Sequence, residues 1–196
     1  MSKMNLPNKL TLLRVILVPV FVACILYIPN SIVKGLVSTG VFAIASLTDM
    51  LDGKIARKYN LITNFGKFMD SLADKFMIFA ALVVITVTHS DSIVRHVLIW
   101  VTLLVIFREL GVTSIRLVCN ASAGKVIAAS YFGKLKTVSQ MVCIIVLLLE
   151  PVLRDAFDIN TLWIPSYVLI GIMALMTIAS GIDYFKTYLP YLDSNK

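Results

Sequence analysis

Six long apolar runs, separated by short polar intervals, dominate the chain. They cover roughly residues 7–28, 32–58, 64–88, 93–118, 134–152 and 161–186. Apolar residues do not alternate with polar ones at every second position, as the strands of a transmembrane barrel require. The runs are also too long for strands of an open sheet. Each is close to or beyond the roughly 20 residues with which a helix crosses a bilayer. Pro7 falls at the first turn of the first run, where a missing N–H does no harm. Pro29-Asn30, His89-Ser90-Asp91-Ser92 and the stretch from Glu150 to Asn160 punctuate the runs. The pattern predicts an all-α integral membrane protein with six transmembrane helices, one membrane domain over residues 1–196.

Three runs are polar at one end. Run two is apolar from Ile32 to Leu47, except for Lys34, and then turns polar. Run three is continuously apolar only after Lys75, and run four is apolar until Arg108 and Glu109. These ends predict a shared polar region at one side of the membrane. That side also holds the positive charge: 15 of the 18 Lys and Arg belong to one set of helix ends, against Lys34, Arg95 and Arg154 at the other. Cytoplasmic ends carry the excess of Lys and Arg. Both termini and the polar region are therefore expected to be cytoplasmic.

Composition narrows the class. The chain is 59% hydrophobic and 15% charged, where a soluble domain has about 25% charged residues. A soluble domain is excluded, and so is a disordered chain, which needs little apolar content. The net charge of +7 fits the inside-positive bias and then attraction to anionic lipids or phosphates. No nucleic-acid partner is expected. Cys24, Cys119 and Cys143 lie far apart, without metal-ligand or redox spacing. No small-x-small cleavage site follows the first run, so it is not read as a signal peptide. With no transit peptide evident, a bacterial plasma membrane is the expected location.

The candidate chemistry lies in residues 49–74. Asp49 and Asp52 are three residues apart, Asp70 and Asp74 four apart. Each pair shares one face of a helix. The link between the two helices is short, so they should be antiparallel neighbours and can bring four carboxylates together. Like charges in a membrane are costly, at about 2.5–3.5 kcal/mol each even on the mild insertion scale. Cations can neutralise them, and clustered carboxylate oxygens suit hard divalent ions. Two such ions make the arrangement used for phosphoryl displacement. The plain alternative is four aspartates in a solvated cytoplasmic loop. Gly53, Ala56 and Gly66 allow close approach of a ligand or of another helix. Arg57 suits a phosphate oxygen or a base edge, or it is an inside-positive anchor.

The pattern D-x-x-D-G-x-x-A-R-x8-G-x3-D-x3-D is met at every fixed position. It resembles the signature of the CDP-alcohol phosphotransferases, and the six-span layout extends the resemblance over nearly the whole chain. The resemblance implies transfer of a phosphatidyl or similar group from a CDP-linked donor to an alcohol, with release of CMP. It implies two divalent cations, Mg²⁺ first and Mn²⁺ second, held by Asp49, Asp52, Asp70 and Asp74. Asp74 would also be the general base. Gly53, Arg57 and Thr63 would contact CDP-diacylglycerol, joined by Ala56 and Gly66 on the same face. A homodimer embedded in membrane lipids is implied as well.

Two further stretches bear on the acceptor. Asn5-Leu-Pro-Asn8-Lys-Leu-Thr11-Leu-Leu-Arg14 and Gly133-Lys134-Leu-Lys136-Thr137 resemble the bacterial phosphatidylglycerophosphate synthases within this family. The implied acceptor is glycerol 3-phosphate, and Asn8 and Thr11 then belong to the CDP-lipid pocket. Their alternative is helix capping. An acceptor with its own phosphate needs a second anion site, for which Arg108, Arg116 and Lys134 are the candidates. Arg108 could instead pair with Glu109 or a motif aspartate, and Arg116 could snorkel to headgroups. Lys125 and Lys136 read as inside-positive charges. Trp100, Trp163, Met173 and Met176 read as lipid-facing or packing groups.

Other acceptors keep the same chemistry: inositol phosphate, serine or phosphatidylglycerol. A divalent-cation transporter is the reading from a different class. It needs polar groups through the outer halves of the helices, and those of runs two and three are almost purely apolar.

The charge count makes a topological prediction. In a chain freed of its native cysteines, a cysteine at Asn60 or Ser122 should be shielded from an impermeant thiol reagent in intact cells. One at Asp91 or Asp155 should be labelled. The opposite pattern would invert the orientation.

Overall fold

The computed structural model describes residues 6–59, 64–123, 131–158 and 164–188, with the side chains of 6–7, 50–58, 64–65, 67, 117 and 119–123 outside that description. Six helices follow one another: α1 (Leu6–Tyr27), α2 (Ser31–Lys58), α3 (Asn64–Thr88), α4 (Ser92–Ala123), α5 (Tyr131–Phe157) and α6 (Ile164–Tyr188). No strand occurs among the described residues. Every helix is long and apolar enough to cross a membrane, so the all-α, six-span expectation holds for a multi-pass membrane protein.

The polar intervals act as caps. Asn30 Oδ1 accepts the Val33 N–H at 3.0 Å. Asp91 Oδ1 accepts the N–H groups of Ile93 and Val94, both at 2.8 Å, satisfying donors that the first turn of α4 leaves open. The stretch from Glu150 onward departs from expectation. Helix α5 continues through Pro151 to Phe157, and Glu150 is buried. Proline removes one backbone hydrogen bond, but packing holds the helix through it. Leu147, Leu148 and Val152, buried around Pro151, supply that packing.

Packing divides the chain into two units. The first contains α1, α2, α3 and α5 from Ile144 onward. Its centre is α1, which packs extensively on both α2 and α3, while α2 and α3 touch each other less. Buried Phe21 of α1 meets buried Phe42 of α2 with ring centroids 5.9 Å apart. Gly35 and Ser38, then Phe42 and Ala45, continue that inward stripe of α2 at helical spacing. The second unit contains α4, α6 and α5 up to Cys143. Here α4 buries Val94, Leu98, Val101 and Val105. Helix α6 buries Ser166, Ile170, Met173, Thr177, Ser180, Tyr184 and Tyr188, one unbroken stripe. Buried Thr177 is satisfied within its own helix, donating to Met173 O at 2.7 Å. Trp100 is exposed and Met173 fully buried, a lipid-facing and a packing role respectively.

Gly35 is the tight point of the first unit. A Cβ there would lie 2.8 Å from the Leu148 carbonyl oxygen and would collide with the Val152 side chain. Gly40 has nothing within 4 Å of that position. Overpacking costs about 1–3 kcal/mol, more than the roughly 1 kcal/mol of helix propensity that alanine gains. Gly35→Ala should therefore melt lower than wild type in detergent, and Gly40→Ala should not.

Candidate active site

The site in the first unit is built around Arg14. Thr11 and Arg14 are three residues apart on α1 and face inward, both buried. The Arg14 Nη1 lies 2.6 Å from Asp49 Oδ1 of α2 and donates to Asp70 Oδ1 of α3 at 3.2 Å. One guanidinium nitrogen thus holds carboxylates from two other helices. The arginine side chain is 2% exposed, those of Asp49 and Asp70 33% and 49%. The aspartates therefore form the wet side of the cluster and the arginine its dry side. Fully buried Ala45 and Ala73, each about one turn from a carboxylate, keep the α2 and α3 surfaces low there, which permits close helix approach.

The other motif residues sit as follows. Asp74 is half-buried one turn beyond Asp70 on α3, and Gly66 is half-buried near the start of that helix. Helix α2 runs unbroken through Asp52, Gly53, Ala56 and Arg57, so Asp49 and Asp52 share a face. The side chains of these four, and the whole of Thr63, lie outside the described residues. Helix α1 is already formed at Leu6, which places Asn8 and Thr11 inside it and removes the capping alternative. Among the described residues, no three of His, Cys, Asp and Glu gather into a metal-binding group. The convergence seen there is that of Asp49 and Asp70 on Arg14.

Three basic residues of the second unit, Arg108, Arg116 and Lys136, share partners with one another. Glu109 accepts from Arg108 Nη1 at 3.0 Å and also from Lys136 Nζ. Arg108 donates in addition to the Ser180 hydroxyl, and Arg116 to the Tyr184 hydroxyl. Both guanidinium carbons lie 5.6 Å from the centroid of the Tyr184 ring, within cation–π range. Tyr184 stacks in turn on Tyr188, with centroids 4.7 Å apart and planes 4° from parallel. Arg108 and Arg116 are therefore brought together by one aromatic ring. Lys134 is exposed.

Two expectations are corrected. Arg14 and Lys136 were counted as inside-positive charges, yet both are buried and ion-paired. The signal was present in part. Arg14 sits three residues after Thr11 in an apolar run. Lys134 and Lys136 are two apart and so cannot share a helix face; one of them had to turn inward. Tyr184 carried no sequence signal beyond its place in an apolar stripe.

Residues 4–180 match the family model described as CDP-alcohol phosphatidyltransferase. A Bacillus subtilis (strain 168) protein named CDP-diacylglycerol–glycerol-3-phosphate 3-phosphatidyltransferase is 36% identical, over 93% of this chain and 94% of its own length. A Haemophilus influenzae protein of the same name is 37% identical, over 94% and 93%. A Mycobacterium tuberculosis protein (strain H37Rv) named probable phosphatidylglycerophosphate synthase is 38% identical, over 92% and 79%.

Glu109 neutralises two buried cations at once, which predicts an asymmetry. Glu109→Gln removes the negative charge that both Arg108 and Lys136 face, whereas Lys136→Gln leaves the carboxylate bonded to Arg108. Breaking a buried pair costs about 3–5 kcal/mol. Glu109→Gln should lower the melting temperature in detergent clearly more than Lys136→Gln.

Proposed function

The chain belongs to the CDP-alcohol phosphatidyltransferase family, and on that premise we propose that it transfers a phosphatidyl group from CDP-diacylglycerol to glycerol 3-phosphate. The products are phosphatidylglycerophosphate and CMP. The observation that carries the chemistry is the convergence of Asp49 and Asp70 on one cationic nitrogen, 2.6 and 3.2 Å away. The names of the similar bacterial proteins support the acceptor.

Family members generally depend on a divalent metal. The donor chemistry fits: carboxylate oxygens from two helices that already share one positive charge are what hard divalent ions take. Asp49, Asp52, Asp70 and Asp74 would hold two such ions, Mg²⁺ or alternatively Mn²⁺. When bound, these ions supply charge neutralisation to the pyrophosphate and to the departing CMP. The remaining work belongs to side chains. Asp74 accepts the proton of the acceptor hydroxyl as its oxygen bonds to the phosphatidyl phosphorus and the bond to CMP breaks. Asn8, Thr11, Gly53, Ala56, Arg57, Thr63 and Gly66 bind the CDP-lipid. Arg108, Arg116 and Lys134 hold the phosphate of glycerol 3-phosphate, with Arg108 and Arg116 already paired by Tyr184. Both termini and the site face the cytoplasm of a bacterial plasma membrane, and the enzyme is a homodimer.

Kinetics in mixed micelles, with CDP-diacylglycerol, Mg²⁺ and a panel of alcohols, test this reading by CMP release. Glycerol 3-phosphate should be the preferred acceptor. Asp49→Asn, Asp52→Asn, Asp70→Asn and Asp74→Asn should each cut turnover severely. Arg116→Ala should raise the KM for glycerol 3-phosphate roughly 10- to 150-fold, since a charge-assisted bond is worth about 1.5–3 kcal/mol. The KM for CDP-diacylglycerol should change far less. Preference for serine or inositol phosphate would overturn the acceptor and leave the transferase. No CMP release with any alcohol would overturn the reaction.

A further inference from the structure

Arg14 has a role that the transfer reaction does not require of it. It is the largest fully buried side chain of α1, and an arginine cannot shed its proton to escape burial. Its Nη1 occupies the point where Asp49 and Asp70 converge. A divalent ion binds carboxylate oxygens at about 2.0–2.6 Å. An ion taking Oδ1 of both aspartates would therefore sit close to that nitrogen. The two cations compete for the same oxygens.

We propose that Arg14 is an internal counterion for the metal site: it holds Asp49 and Asp70 together when no metal is bound and sets a ceiling on how tightly a divalent cation binds there. The inference rests on the metal reading given above. Its physical content is Coulombic. Without Arg14, two half-buried carboxylates repel each other, so the protein is less stable and more eager for a cation. With Arg14, the same carboxylates are satisfied, and an arriving ion meets a fixed positive charge. Even at the dielectric constant of water, a unit charge about 5 Å from a dication weakens its binding by about tenfold.

Metal affinity and stability are the readouts, both independent of turnover. Free Mn²⁺ is measured by electron paramagnetic resonance during titration of detergent-purified wild type, Arg14→Gln and Arg14→Lys. Melting temperatures are taken in chelator and in Mn²⁺. Arg14→Gln should bind Mn²⁺ about tenfold tighter than wild type, and Arg14→Lys should stay near wild type. Arg14→Gln should melt lower than wild type in chelator and recover in Mn²⁺. If Arg14→Gln folds only when purified in Mn²⁺, the counterion role is upheld in its strongest form. Arg14→Gln that binds Mn²⁺ no tighter than wild type, or fails to fold with Mn²⁺ present, overturns the inference and leaves the transferase reading standing. Wild type that binds no Mn²⁺ overturns the metal reading itself, and the inference with it.

Discussion

A positive charge that cannot be discharged lies inside the first unit, and the arrangement around it follows from that constraint. Arg14 is 56 residues from Asp70 in sequence and is the last charged residue of its helix, which is apolar from Val15 onward. Burying it alone would be prohibitive. Two carboxylates from two helices supply the opposite charge at one nitrogen, and in doing so they fix the rotation of α1 against both α2 and α3. Removing either aspartate has a structural consequence as well as a chemical one, since buried Arg14 then keeps one carboxylate in place of two. The residues proposed to hold metal thus also hold the helices.

The second unit meets the same problem with other means. Glu109 is shared between Arg108 and Lys136, and the charge that remains is carried on hydroxyls and an aromatic ring. Ser180, Tyr184 and Tyr188 occupy successive turns of one α6 stripe, so a single helix face supplies every uncharged partner. Thr177, one turn earlier on that stripe, bonds instead to Met173 of its own helix, so the polar groups that α6 offers to Arg108 and Arg116 of α4 lie towards this end.

The helices were legible because each run matches a bilayer crossing and is bounded by residues that cap. The exception at Glu150 has a local cause. Proline and glutamate signal a break in water, but buried Leu147, Leu148 and Val152 around them outweigh that signal. The approach of Asp49 and Asp70 from two helices was legible because the motif's spacing is itself geometric. Arg14 and Lys136 were not, since counting basic residues for orientation treats every lysine and arginine alike. What distinguishes them is a partner from another helix, 27 residues away for Lys136; the local pattern hints at an inward face and does not say what that face meets. Tyr184 was invisible for the same reason: on a stripe of apolar and small residues, a ring that gathers two guanidinium groups looks like a ring that packs.

That ring differs in kind from the carboxylates that hold Arg14. A carboxylate cancels the charge it binds; an aromatic face holds a cation through its quadrupole and leaves the charge intact. Arg116 reaches Tyr184 through ring and hydroxyl, so it is immobilised without being neutralised. An anion bound there, as proposed, would displace no ion pair among the described residues and, on departing, would leave none to re-form. If the acceptor's phosphate binds where proposed, its exchange would need no rearrangement of ion pairs around Arg116, which suits a small soluble metabolite that must come and go once in every turnover.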